Sequence, residues 1–228
     1  MKNVIKLFLI ILLFSASFEV FSQSSEDVEH QLLLEFEFKA ALSLPSYFWL
    51  EDNSWNSLTM FTIQGAAWAG AAVNVSEDFA IVFEAGYNGK GASLDASDGS
   101  LKWRFHYLEF PVWVKKSFSV GTNSAWLGAG GYYGYCLGGT YNFNVPGTEW
   151  NSRGNMSIGD EELITEMRRH DAGLLFSAGS RQGRLLYEIR FPISVIPALS
   201  FTPEDEINYG GYRRALNSGF LIAVGYSF

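Results

Sequence analysis

The sequence predicts an all-β fold, an eight-stranded antiparallel up-and-down transmembrane β-barrel, and three observations carry that expectation. Bulky apolar residues alternate with small or charged ones in eight separate stretches. The connections between those stretches are alternately long and short. The last stretch, Arg213 to Phe228, is the greasiest and ends on an aromatic. Within it Leu216, Phe220, Ile222, Val224, Tyr226 and Phe228 share one face, opposite Asn217, Gly219, Leu221, Ala223, Gly225 and Ser227. A period of two belongs to a strand, whose successive side chains point to opposite faces. A closed barrel ends naturally on such a strand, because its last strand pairs with its first.

Residues 1–22 read as a secretory signal peptide: Lys2 and Lys6 precede an apolar run from Leu7 to Phe14, then small and polar residues lead to Gln23. That run is too short for a membrane helix, which needs about 20 apolar residues. Residues 23–30 form a short periplasmic tail, and residues 31–228 the barrel domain. The lone cysteine, Cys136, allows no intramolecular disulfide and suits packing within a strand. With a net charge of −8 and no run of lysines, the chain makes a poor partner for nucleic acid. Aromatic content is 16%, accompanied by 23 glycines, which suits a barrel whose outer face meets lipid.

Strand one, 31–42, sorts its residues completely: Leu32, Leu34, Phe36, Phe38 and Ala40 oppose Leu33, Glu35, Glu37, Lys39 and Ala41. Strand two covers 59–75 and is rich in Ala and Gly. Strand three, from Phe79, sets Ile81, Phe83, Ala85 and Tyr87 against Ala80, Val82, Glu84 and Gly86. Strand four begins with Leu101, Trp103, Phe105 and Tyr107 against Lys102, Arg104 and His106. After Tyr107 the apolar phase passes to Phe110, Val112 and Val114, which predicts a bulge near Leu108 to Pro111. Strand five, 125–138, places Gly128, Gly130 and Gly134 opposite Tyr133, Tyr135 and Leu137. Strand six, 168–180, has Ala172, Leu174, Phe176 and Ala178 on one face. Strand seven sets Leu185, Tyr187, Ile189 and Phe191 against Leu186, Glu188 and Arg190.

Long connections at 43–58, 88–100, 139–167 and 193–212 alternate with short ones at 76–78, 118–124 and 181–183. Outer-membrane barrels have this layout, with short periplasmic turns and long extracellular loops. Four stretches resemble the PorT-like, porin-family group of small outer-membrane β-barrels: WRFHYLEFPVWVKK at 103–116, AWLGAGGYYGYCLGG at 125–139, HDAGLLFSAGS at 170–180 and GFLIAVGYSF at 219–228. The family's pattern of Tyr-Leu-Glu, an apolar residue and Pro falls on Tyr107, Leu108, Glu109, Phe110 and Pro111. The resemblance implies the outer membrane of a Gram-negative bacterium, and marks Phe228 as the signal read by the barrel-assembly machinery. Most members have no assigned chemistry, and one branch is associated with a protein-secretion apparatus.

With the greasy faces toward lipid, the interior is expected to hold Glu35, Glu37, Glu84, Glu109 and Glu188 with Lys39, Arg104, His106, Lys115 and Arg190. Unpaired charges there cost several kcal/mol each, so cross-pairing into networks is expected. An eight-stranded barrel holds only its own side chains, which makes this network a plug; the competing reading is a narrow ion path lined by the same residues. An aromatic girdle is expected from Trp103, Trp113, Trp126, Tyr87, Tyr133 and Tyr187.

No catalytic, cofactor or metal residue is assigned. His30, His106 and His170 sit in no Ser/His or Asp/His motif, and the glycines at 128–139 lack a following Gly-Lys-Ser/Thr. The acidic run Asp160, Glu161 and Glu162 suits solvation better than a cation. The expected function is structural or interaction-based, with outer-membrane lipid as solvent and loops 43–58 and 139–167 as contact surfaces. The alternatives are an accessory component of a secretion apparatus, a lipid A-modifying barrel enzyme, and a soluble lipocalin-like carrier with its charges outside.

Overall fold

The computed structural model describes residues 34–49, 59–96, 99–121, 123–146, 151–156, 165–201 and 214–228. The expected signal peptide (1–22) and tail (23–30) lie outside these residues, as do parts of the long loops. Eight strands form the barrel wall. They are β1 (Leu34–Trp49), β3 (Gln64–Asn74), β4 (Phe79–Lys90), β6 (Gly99–Val120), β7 (Asn123–Asn144), β10 (His170–Gln182), β11 (Leu185–Ser194) and β13 (Arg214–Ser227). Each pairs antiparallel with the next, and β13 returns to β1 from Glu37↔Ser227 to Trp49↔Ala215, which closes the ring. Closure removes the exposed sheet edges that lipid cannot hydrogen-bond.

Short strands sit at the long-loop end: β2 (Thr59–Met60), β5 (Ser93–Ala96), β8 (Asn151–Met156), β9 (Thr165–Met167) and β12 (Leu199–Phe201). β6 and β7 have 22 residues each, whereas about 9–11 suffice for a tilted strand to cross the hydrocarbon. The surplus stands beyond the lipid band, where β5 and β8 pair onto it. Packed inside this extension is a small core of Tyr47, Trp103, Phe105, Tyr107 and Cys136. The short-turn end is tight by contrast. Gly121 (φ 62°) and Gly183 (φ 59°) adopt the left-handed conformation its hairpins need.

Strands are longer at the loop end than the sequence suggests. β1 runs through Pro45 because Phe228 N donates to Phe36 O, so even-numbered residues of β1 bond β13 and odd-numbered ones face β3. Pro45 is odd-numbered, so its missing N–H leaves the β13 ladder intact, and on the other side its carbonyl still accepts from Thr62 N at 3.0 Å. The predicted bulge in strand four is absent. From Trp103 to Lys116 β6 alternates buried and exposed without a break. The irregularity lies on the partner: His106 pairs Gly138 and Tyr107 pairs Cys136, which leaves Leu137 as the extra residue on β7. The phase change read from the sequence is one of chemistry. Along one face of β6 the residues pass from Trp103, Phe105 and Tyr107 to Glu109, Trp113 and Lys115, and all of them point inward.

β7 supplies the room for this. A Cβ at Gly130 would collide with the Trp113 Cα and the Val112 carbonyl, and one at Gly128 with the Trp113 ring. Gly130→Val is therefore expected to abolish the closed barrel, read as loss of the boiling-dependent mobility shift on a detergent gel. Gly138→Ala meets nothing within 4 Å and should leave that shift unchanged.

Candidate functional site

The outward face of the wall is apolar. Phe38, Leu42, Phe83, Val112, Val114, Leu174, Phe176, Ile189, Ile222 and Val224 all lie exposed on it. Charge is turned inward, where it forms two layers. The central layer is built around Lys39, whose Nζ lies 2.8 Å from Glu37, 2.9 Å from Glu84 and 2.9 Å from Glu188. Arg190 reaches Glu84 and Glu188 at 2.6 Å each. Lys115 reaches Glu37 at 3.0 Å. Six groups thus pair three carboxylates with three cations, a neutral set buried within the wall. Aromatic faces line it, with Lys39 5.2 Å from the Trp113 ring centroid and Arg190 4.8 Å from that of Trp68. The Trp113 indole donates to Glu84 at 3.2 Å, and that of Trp126 to Ser177 at 3.3 Å.

A second layer lies nearer the long-loop end. Lys90 Nζ is 2.5 Å from Glu109 and 2.6 Å from Asp171, and stands 4.2 Å from the Tyr132 ring centroid. Asn88 donates to Glu109 at 3.0 Å, and Asn217 and Ser194 donate to Asp171 at 3.1 and 2.5 Å. Gln64 donates to the Lys90 carbonyl. Beside this layer, Lys90, Tyr132, Asn88 and Asn217 line a void of only about 10 Å³, roughly one water. Open space of about 530 Å³ lies at the short-turn mouth. Lys115, Trp126 and Leu186 line it along with Glu35 and Arg181, which are paired at 2.6 Å.

Of the residues expected inside, Glu37, Lys39, Glu84, Glu109, Lys115, Glu188 and Arg190 are buried there, and Glu35 lies at the short-turn rim. Arg104 and His106 are corrections: both are exposed on the outer face, because β6 keeps one phase and gives its inward positions to Trp103, Phe105 and Tyr107. Three girdle assignments are also corrected. Trp103, Trp113 and Trp126 are buried inside: Trp113 fits the gap at Gly128 and Gly130 on β7 and donates to Glu84, Trp126 fits the gap at Gly179 on β10 and donates to Ser177, and Trp103 packs edge-on against Tyr47. Tyr87, Tyr133 and Tyr187 do face outward. Phe228 is exposed against Tyr226, with ring centroids 5.1 Å apart. Lys90 and Asp171 were missed, yet a signal existed: both continue the inward phase of their strands, Lys90 after Glu84 and Asp171 before Gly173.

This geometry agrees with the family comparison, in which the model described as "Outer membrane protein beta-barrel domain" matches residues 21–200. The chain belongs to that family. It is an outer-membrane β-barrel protein. No curated protein matches it. Among solved structures it is similar to Neisserial surface protein A, at 9% identity and a TM-score of 0.39, covering 86% of this chain and 97% of that one. It is also similar to Ail, the attachment invasion locus protein of Yersinia pestis, at 10% identity and a TM-score of 0.37, covering 85% and 99%. The N-terminal β-barrel domain of Pseudomonas aeruginosa OprF follows at 8% identity and a TM-score of 0.32, covering 87% and 100%.

Removing one partner of a buried ion cluster strands the others, at a cost of about 3–5 kcal/mol. Lys39→Met should lower stability by about that amount in urea unfolding from detergent. Lys39→Met combined with Glu84→Gln should recover most of it, since the interior is then neutral again.

Proposed function

We propose that this barrel is non-catalytic and acts as a structural or interaction protein, presenting the strand extension and loops at its long-loop end. The observation that carries this reading is the filled interior. Two ion-pair layers and a cap of aromatics occupy the axis, with a void of about 10 Å³ beside the upper layer. The extension is a surface built at some expense of ordered chain, since β5 to β8 continue pairing where no lipid demands it. The parts of 43–58 and 139–167 that are described belong largely to it: the end of β1, the end of β7, β8 and β9. Their expected partners are ligands or proteins outside the cell. Phe228, at the junction of β13 and β1, is the expected handle for the barrel-assembly machinery.

A second reading, an accessory subunit of a secretion apparatus, is favoured by the PorT-like stretch at Tyr107 to Pro111. In the wall Glu109 and Pro111 of that stretch face the interior, while Leu108 and Phe110 face out. Migration of the native protein with a large secretion complex in mild detergent would support this reading over a stand-alone barrel.

Reconstitution into a planar bilayer tests the main proposal. The wild-type protein should give no stepwise conductance, and Glu84→Ala combined with Arg190→Ala should not reach the size of an open porin, because the indoles and the upper layer remain. Regular wild-type channels would contradict the reading and favour the ion path.

A further inference from the structure

The outer surface at the long-loop boundary carries a feature that neither the filled interior nor the extension explains. Just above the apolar band of Phe110, Val112, Leu174 and Phe176, the wall turns basic and aromatic. Arg104 and His106 project from β6, with Arg169 and His170 at the start of β10, and all are exposed. Tyr87 stacks on His106 with ring centroids 5.9 Å apart, and its hydroxyl lies 2.7 Å from His106 Nδ1. The Tyr133 hydroxyl lies 2.5 Å from His170 Nδ1. Arg169 Nη1 donates to the Tyr135 hydroxyl at 3.2 Å.

Tyrosine and imidazole are paired at both places, and where the hydroxyl donates to Nδ1 the ring keeps its N–H on Nε2 as a donor. Leu108 pairs Tyr135, and Tyr135 pairs His170, so His106 stands two strands from His170 and two residues along β6 from its row. Two strand spacings with two residues of rise come to roughly 12 Å. A patch that wide can engage two anionic groups at once. At the short-turn end, exposed Glu77 and Asp78 accompany Lys116, whose Nζ lies over the Phe79 and Phe118 rings, and Arg184, which donates to the Tyr226 hydroxyl at 3.3 Å.

We infer that Arg104, His106, Arg169 and His170 form a binding surface for the phosphate-bearing headgroup of an outer-leaflet lipid. Charge complementarity and height select that occupant. The patch is cationic and donor-rich, and it lies where the lipid-facing apolar band gives way to charge, beside exposed Leu108 and Leu137, at the depth expected of headgroups. Phosphate is the acceptor that arginine and imidazole N–H groups recognise best. The flanking tyrosines suit the same boundary.

The test measures stabilisation of the detergent-solubilised full-length barrel, as the temperature at which it loses its compact gel mobility. Three probes are compared: bisphosphorylated lipid A, the same lipid enzymatically dephosphorylated, and inorganic phosphate. The phosphorylated lipid should raise that temperature in a saturable way, and the other two should not. Arg104→Gln combined with His106→Gln, and separately Arg169→Gln combined with His170→Gln, should each weaken the apparent affinity by roughly tenfold, about 1.4 kcal/mol. Lys116→Gln, at the other end, should leave it unchanged. Because the four side chains project from the outer face, the variants should retain the compact band, which serves as the control for folding. Equal stabilisation by dephosphorylated lipid, equal protection by inorganic phosphate, or unaltered affinity in both double variants would each overturn the inference.

Discussion

Lys39 sets the terms for the barrel. An ammonium in the middle of an eight-stranded wall has no water to solvate it, and it survives only because Glu37, Glu84 and Glu188 surround it at 2.8–2.9 Å. Those carboxylates come from β1, β4 and β11, so one cation ties together three parts of the ring. Arg190 binds two of the same acids, and Lys115 draws in Glu37 from β6. Every member is costly alone and tolerable together, which makes the network an all-or-none element of the fold. The apolar exterior contributes little to uniqueness, because lipid is as apolar as the side chains facing it.

Bulk fills what charge leaves. Trp68, Trp113 and Trp126 lie inside among the ion pairs, and Trp113 fits only because Gly128 and Gly130 on β7 leave room for it. Large residues on one strand against glycines on its neighbour give the tapered packing a narrow barrel requires. Higher up, Trp103, Phe105 and Tyr107 continue the same inward row, where the strands rise beyond lipid and the interior becomes an ordinary hydrophobic core. The protein thus changes its interior from ionic to apolar along one strand, without a change of phase.

That change explains which parts of the structure were legible in the sequence. Alternation of apolar with charged or small residues located seven wall strands and the inward acids of β1, β4 and β11, whereas the run of Ala and Gly read as one strand over 59–75 is found as β2 and β3 with a break at 61–63. The same rule misled at β6, since "apolar equals outward" holds only at lipid depth. Trp103, Phe105 and Tyr107 lie above it, and reading them as outward reversed Arg104 and His106 as well. Tryptophans were assigned to the girdle because they lie toward strand ends, although an indole with a buried acceptor such as Glu84 is as stable inside. Strand ends at the loop side were hidden because Pro45 and Gly139 read as loop residues, whereas pairing with β13, β6 and β8 keeps them extended. Lys90 and Asp171 escaped because each sits at a strand end, where the alternation has few residues left to establish it.

The account stands on β6 keeping a single phase with its charges and indoles inward. Nitroxide labels placed one at a time from 103 to 116, in a Cys136→Ser background reconstituted in lipid, test this most directly. Collision with lipid-dissolved oxygen should alternate with a period of two across 108–116, high at even positions and low at odd ones. Through 103–107 odd positions should stay shielded while even ones gain contact with aqueous reagents. A reversal of phase between 107 and 110, with labels at 103 and 105 exposed to lipid, would contradict the account.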